Sequence, residues 1–341
     1  MLAGVAQDPD TGTAKPILMP APYSPGCAGA DRWFTCRMES EDLIDRLRRI
    51  GLRYGGVPGT VMPTRPDVII VRAGPVVVKA HAPGAEREPL VERMRAVAHP
   101  ALRGIVLRPV TEEVMTAGDR LVTVWPAGTP VDHDDPDAAP WEAAARLLAR
   151  LHAVPAGTLP PLRAAGGPAR VGTTVARLGE GSAAELVVRR AFTCLPLGAD
   201  PGPGAGAPGA GLTHGDWHMG QLVRAPDEWI LIDVDDLGVG DQAWDLSRPA
   251  AWFAAGLLDP EVWHRFLAAY RAAGGVAVPA DGDPWERLEV PAQAMTVQLA
   301  AAAVATAERQ ARPLDEVEEV LVESCLRIVR HRSACHSVPT Q

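Results

Sequence analysis

The chain contains no asparagine, and lysine is almost as scarce: of 33 basic residues only Lys15 and Lys79 are lysines, the other 31 being arginine (33 − 2). The five cysteines, Cys27, Cys36, Cys194, Cys325 and Cys335, are scattered and odd in number, which argues against a disulfide framework and for reduced thiols. In the tail, Cys325, His331, Cys335 and His336 follow no standard zinc spacing. No apolar run approaches the roughly 18 residues needed to span a bilayer. The N-terminus lacks the basic, apolar and small-residue succession of a secretory leader, so the expected location is cytoplasmic, without membrane attachment. Positive charge is not in surplus either. At a net charge of −9, nucleic acid is disfavoured as a partner.

What is present is ordinary globular chemistry, with 341 residues, 47% hydrophobic and 22% charged, enough to bury a sizeable core in one or two lobes. Residues 1–38 are rich in Pro, Gly and Ala and read as a loose extension. Leu43, Ile44, Leu47 and Ile50 recur at helical spacing behind the capping candidate Ser40, giving a helix over Glu39–Ile50. Asp67–Arg72 and Val76–Ala80 are β-branched runs joined by Ala73-Gly74-Pro75, a hairpin signal. Pro89–Ala98 reads as a helix, and Val106–Val110 and Leu121–Val124 as two further strands. From Pro140 onward the pattern is mostly helical, over Glu142–His152, Asp245–Gly256, Pro260–Ala273, Trp285–Gln310 and Leu314–Arg332. Two short strands, about Gly211–Thr213 and Trp229–Asp233, interrupt it, and residues 196–211 read as a surface loop.

Lys79 stands in Val-Val-Val-Lys-Ala, an apolar strand in which a charge is costly unless paired. In a chain so poor in lysine, such a residue needs a reason. An ammonium on a strand can hold phosphate groups, with a helix carboxylate fixing it. Glu92, inside the helix, is the preferred partner and Glu88, before Pro89, the second choice. Asp216 follows Thr213-His214-Gly215 off a strand end and is the candidate base, with Gln221 five residues later. Asp233 ends the apolar run Trp229-Ile-Leu-Ile, and Asp235 and Asp236 follow it. Clustered carboxylates repel one another unless a cation sits among them, and Mg²⁺ selects such hard oxygen donors; a solvated acidic turn is the alternative for one of Asp235 and Asp236.

This constellation resembles the aminoglycoside phosphotransferase and choline kinase superfamily, relatives of protein kinases. The resemblance rests on His214-Gly215-Asp216, on Gln221 where the family has Asn, on Ile232-Asp233, and on Gly240-Asp241 through Asp245-Leu246-Ser247. The aromatic-His-x-Gly-Gln form of the motif, Trp217 to Gln221, is similar to bacterial maltokinase and glucosamine kinase. The resemblance implies an α+β, two-lobed protein-kinase-like fold. A small antiparallel-sheet N-lobe with one helix would occupy residues 39–126, and a larger, mainly helical C-lobe residues 127–335. It implies that Asp216 orients or deprotonates an acceptor hydroxyl, that Lys79 with Glu92 holds the phosphates of ATP (or GTP), and that Asp233, Gln221 and Asp235 bind Mg²⁺. The hinge would be Val124-Trp125-Pro126-Ala127-Gly128, with the backbone of Trp125 and Ala127 meeting the base, and the phosphate loop would be Gly55-Gly56-Val57-Pro58-Gly59-Thr60. His218 and Asp236 are candidates for the acceptor side. Asp241 and Asp245 read as helix caps or braces.

The partner expected is therefore a small molecule with a hydroxyl group, taken by a monomer or homodimer. Asp132, Asp134, Asp135 and Asp137 past the hinge could meet a cationic acceptor but read rather as a solvated loop, whereas Asp259, Asp281, Asp283, Glu286 and Glu289 in the helical region favour an aminated acceptor such as an antibiotic or amino sugar. A neutral-sugar kinase of the maltokinase type comes second, and a catalytically dead nucleotide-binding protein is the competing class.

Overall fold

The computed structural model describes residues 30–64, 67–132, 139–197, 210–226 and 228–336, excluding the side chains of 30–40 and 333–336. The first helix, α1 (Ala30–Gly55), runs further in both directions than its apolar spacing predicts, so residues 30–38 are helical rather than loose. Its inward stripe is Leu43, Leu47, Ile50 and Tyr54, packed against Val71, Ala73, Val76, Val78, Val122 and Val124. Leu47 is fully buried, and each such leucine contributes roughly 1.5–3 kcal/mol of hydrophobic stabilisation. The helix ends against the sheet at Gly55, where a Cβ would stand 2.0 Å from the Ala73 carbonyl oxygen, a position only glycine can fill.

That sheet is antiparallel, in the order β1 (Thr60–Met62), β2 (Ile69–Ala73), β3 (Val76–Ala80), β5 (Arg120–Pro126), β4 (Met115–Ala117). The β2–β3 hairpin turns at Gly74-Pro75 as its sequence signals, and its register sets Lys79 opposite Ile70 on one side and Thr123 on the other. The strand expected at Val106–Val110 does not form. Val106 makes one isolated bridge to Leu231 and Val110 donates its N–H to Val124, so this segment stitches the sheet to the second lobe while β4 pairs with β5. Between β3 and β4 lies α2 (Arg87–Ala98), which buries Leu90 and Met94 against Val114 and Leu121.

The second lobe is built on one large apolar core. Helix α3 (Trp141–His152) packs on α7 (Pro260–Ala272), and α8 (Trp285–Arg309) packs on α4 (Gly167–Val175), α5 (Ala183–Cys194), α6 (Ser247–Ala255) and α9 (Glu316–His336). Helix α8 is long and apolar enough to cross a membrane by length and composition, unlike the reading of the sequence, yet most of it is buried inside this lobe. Two small sheets sit at the face toward the first lobe: β7 (Ala210–Thr213) with β10 (Gly238–Asp241), and β6 (Thr129–Pro130) with β8 (Leu222–Ala225) and β9 (Glu228–Leu231). Strand β8 was not legible in the sequence. Together β7, β8 and β9 hold the loop 214–221 and the segment 232–236 side by side. Most of the loop expected at 196–211, and Asp134, Asp135 and Asp137, lie outside the described residues.

Candidate active site

The first half of the site joins the lobes. From β3, Lys79 reaches 154 positions along the chain to place its Nζ 2.6 Å from Asp233 Oδ1 and 2.7 Å from Asp235 Oδ2. Burial alone would push the ammonium down, but Asp235 and Asp233 outweigh it and hold the lysine above its ordinary value. The same balance holds Asp235 far below the usual carboxylate range: burial pushes it up, and Lys79 and then His81 overcome that. Asp235 also meets His81 Nδ1 at 3.3 Å, while His81 Nε2 lies 2.8 Å from Thr123 Oγ1, which accepts from Trp125 Nε1 at 2.8 Å. Because a carboxylate can only accept, the proton between His81 and Asp235 sits on Nδ1. His81 carried no signal in the sequence.

Glu92 is not the partner of Lys79. Helix α2 turns that carboxylate outward, where Arg163 Nε donates to it at 3.1 Å, and Glu88 takes Arg163 Nη2 at 2.7 Å. Together with Arg93 Nε, which donates to the Leu237 carbonyl at 2.9 Å, this arginine ties α2 to the second lobe. Gly55 and Gly56 lie at the end of α1 beside Ala73, whereas Lys79 pairs with Ile70 toward the opposite end of β2. At the hinge, the Ala127 N–H donates to Pro75 at 2.7 Å and is not free for a base. Trp125 pairs with Val77 in the strand register.

Asp233 itself has φ of +59°, a left-handed conformation rare for a residue with a side chain and of a kind that collects at functional sites. Its Oδ2 accepts from Gln221 Nε2 at 3.4 Å. Turning that amide over would set its oxygen beside the carboxylate, so Gln221 and Asp233 together offer two hard donors. Among the described residues no group of three or more His, Cys, Asp or Glu is placed to hold a metal on its own. The donor set fits Mg²⁺ as that ion is usually bound, by one or two protein oxygens with phosphate oxygens completing the shell. Asp235, committed to Lys79 and His81, stands on the lysine side of this pair.

The second half of the site centres on Asp216. Its Oδ2 is paired with Arg170 Nη1, and its Oδ1 lies 3.4 Å from Arg248 Nη2. The other guanidinium nitrogen of Arg170 holds Asp236, which makes Asp236 an ion-pair partner in the wall of the site. Burial would push the Asp216 carboxyl up, but Arg170 and Arg248 outweigh it and hold it below the usual aspartate value. His218 accepts from Gly220 N at 3.1 Å and is pushed down to about 3 by burial and by Arg248, so it is neutral. Neither arginine was legible: both stand among 31 arginines without distinguishing local pattern.

Backbone position is set from beneath. Gly215 lies so close to the Asp236 carbonyl that a Cβ there would stand 2.2 Å from its oxygen, and its φ is +86°, which is why the residue before Asp216 is glycine. Asp245, 1% exposed, accepts the His214 N–H at 2.6 Å and the Gly215 N–H at 2.9 Å. It also receives His152 Nε2 at 3.0 Å, while His152 Nδ1 meets the Tyr270 hydroxyl at 2.7 Å. Asp245 thus braces the loop that carries Asp216 rather than a helix. Asp241 caps the turn after it, accepting from Ala243 N at 3.0 Å. Behind this brace a cavity of about 520 Å³ is lined by His152, Gln242, Asp241 and Arg287, away from Asp216 and Lys79.

A strand lysine and a metal-type aspartate from opposite lobes, with a braced His-Gly-Asp loop beside them, define the site of a kinase-like phosphotransferase. Residues 66–291 match the model of the phosphotransferase enzyme family, and the chain belongs to that family. Its fold is similar to that of a choline/ethanolamine kinase family protein from Mesorhizobium loti (17% identity, 89% of this chain and 96% of that one, TM-score 0.53). It is also similar to a thermostable mutant of aminoglycoside phosphotransferase APH(4)-Ia in ternary complex with AMP-PNP and hygromycin B (13%, 84% and 99%, TM-score 0.55). A third likeness is to aminoglycoside-3'-phosphotransferase of type VIII (23%, 74% and 98%, TM-score 0.50). At these identities the likeness concerns the fold. A comparison with curated proteins by sequence finds no match.

Proposed function

We propose that this protein transfers the γ-phosphate of ATP to a hydroxyl group of a small molecule. The observation that carries the reading is the Lys79 ammonium set between Asp233 and Asp235 across the lobes, with the Asp216 loop beside them. An ammonium between two carboxylates marks a place where positive charge is required, and phosphoryl transfer requires it in the same place. Gln221 and Asp233 would hold Mg²⁺, which supplies charge neutralisation to the phosphates. Lys79 would bind phosphate oxygens from the first lobe. Asp216 would orient the acceptor hydroxyl and take its proton as the oxygen bonds to the γ-phosphorus, ADP leaving with the electrons of the broken P–O bond. Because Asp216 is held below the usual aspartate value, its proton-accepting form persists as pH falls, and transfer should decline only below the ordinary carboxylate range.

An antibiotic or amino-sugar acceptor draws little support from the acidic residues that suggested it. Asp259 caps α7 by accepting from Glu261 N, Asp283 accepts from Trp285 N just before α8, and Glu289 pairs with Arg332 and His331. The test is phosphate transfer from labelled ATP with Mg²⁺ over a hydroxyl library. Asp216→Asn is expected to lower transfer roughly 10²–10⁴-fold with ATP affinity nearly intact. Undiminished transfer in that variant would sink the role given to Asp216, and a wild type that binds ATP but transfers nothing would favour the dead-kinase class.

A further inference from the structure

We propose that the acceptor is an anionic molecule, a hydroxyl compound bearing a carboxylate or phosphate group that is held by Arg248 and Arg170 beside Asp216; this rests on the phosphotransfer reading above. The charged and titratable groups on this side of the site are Asp216, Asp236, Arg170, Arg248 and His218. Arg170 alone is matched to both carboxylates. Arg248 is left with one contact at 3.4 Å, near the limit of a hydrogen bond. Its side chain is only 15% exposed, and its Nε is buried with no hydrogen-bond partner among the described residues. The charges acting on it are Asp216, which attracts, and Arg170, which repels.

A guanidinium whose buried Nε has lost hydration without replacing it is under-compensated, and an oxyanion meeting the 15% of the side chain that stays exposed would offset its charge. Arg is well matched to this task, because its planar fork meets a carboxylate or phosphate with two parallel hydrogen bonds. An ammonium brought to the same place would face two guanidinium groups and no unpaired carboxylate. Asp216 keeps acceptor capacity for a hydroxyl, since a carboxylate has about four lone-pair sites and these arginines use two. One molecule can therefore offer its anionic group to Arg248 and its hydroxyl to Asp216.

The experiment offers the full-length protein labelled ATP, Mg²⁺ and acceptors that share one carbon skeleton: D-glucose, D-glucosamine, D-glucuronate and glucose 6-phosphate. In parallel, binding of inorganic sulfate to the AMP-PNP-loaded protein is followed by calorimetry, which needs no turnover. The anionic sugars should be used with kcat/KM at least about tenfold above the neutral and aminated ones, the last two separating carboxylate from phosphate. Sulfate should bind and compete with them. Arg248→Gln should remove the preference, mainly through KM, and Arg248→Lys, which keeps the charge but not the fork, should restore part of it. Preference for glucose or glucosamine, or sulfate binding that is absent or unchanged in a folded Arg248→Gln protein, overturns the anion site and leaves the kinase reading intact. Arg248-dependent sulfate binding without transfer to any acceptor supports the anion site and overturns the kinase reading instead.

Discussion

The two halves of the site balance their charges differently. On the nucleotide side one cation, Lys79, lies between two anions, Asp233 and Asp235. On the side proposed for the acceptor two anions, Asp216 and Asp236, meet two cations, Arg170 and Arg248, with Arg170 paired to both carboxylates. The first group is drawn from both lobes, the second from the larger lobe alone. In each half the charged groups are paired before any ligand arrives, as buried ions must be. The difference lies in what a ligand then has to supply. The nucleotide side has carboxylates that a metal can share and an ammonium that phosphate can share. The acceptor side has a guanidinium with an unused donor.

Removing the central charge on the nucleotide side should have the largest effect. Lys79→Met leaves Asp233 and Asp235 facing each other, and it should lower transfer by more than about 100-fold and destabilise the fold by about 2–3 kcal/mol. That figure lies below the range for fully buried pairs because the two carboxylates retain 24% and 26% exposure. Adding Asp235→Asn to that variant should recover part of the stability, measured by denaturant unfolding. No loss in the first variant would mean that the pair does not hold the lobes together.

Asp245→Ala probes what the two halves share. It strands the His214 and Gly215 amides and His152, so a stability cost of about 2–4 kcal/mol is expected. Transfer should fall with nucleotide affinity largely kept, because the brace lies under the Asp216 loop rather than under Lys79. Equal losses in both would show that the halves are not separately supported. The smallest effect belongs to Glu92→Gln. With Glu92 engaged by surface-exposed Arg163, nucleotide affinity should change by less than about threefold. A large loss of ATP binding there would restore Glu92 to the site.

Rarity decided how much of this was legible. Lys79 could be read because a lysine in an apolar strand stands out in a chain with two lysines, and Asp216 and Asp233 because glycine and apolar runs frame them. Arg170 and Arg248 could not, since nothing local separates them from 29 others. The choice of Glu92 failed for a related reason. Helix periodicity placed it correctly inside α2, but not the rotation of that helix, which sends it to Arg163. From its neighbours Asp245 reads as a helix cap or brace, while its partners lie 30, 31 and 93 positions away.

By itself the sequence determined the elements and the loop chemistry: the hairpin that carries Lys79, the glycine that lets Asp216 approach the segment of Asp236, and the apolar strand that delivers Asp233. These follow from neighbours within a few residues, where steric limits and side-chain periodicity act. Only the tertiary structure decided which charges meet. An ion pair depends on distance in space, and the partners of Lys79, Asp216 and Glu92 lie between 32 and 156 positions away in sequence. The candidate acceptor chemistry belongs wholly to that second level, because it rests on an arginine that folding nearly buried and left with one long contact among the described residues.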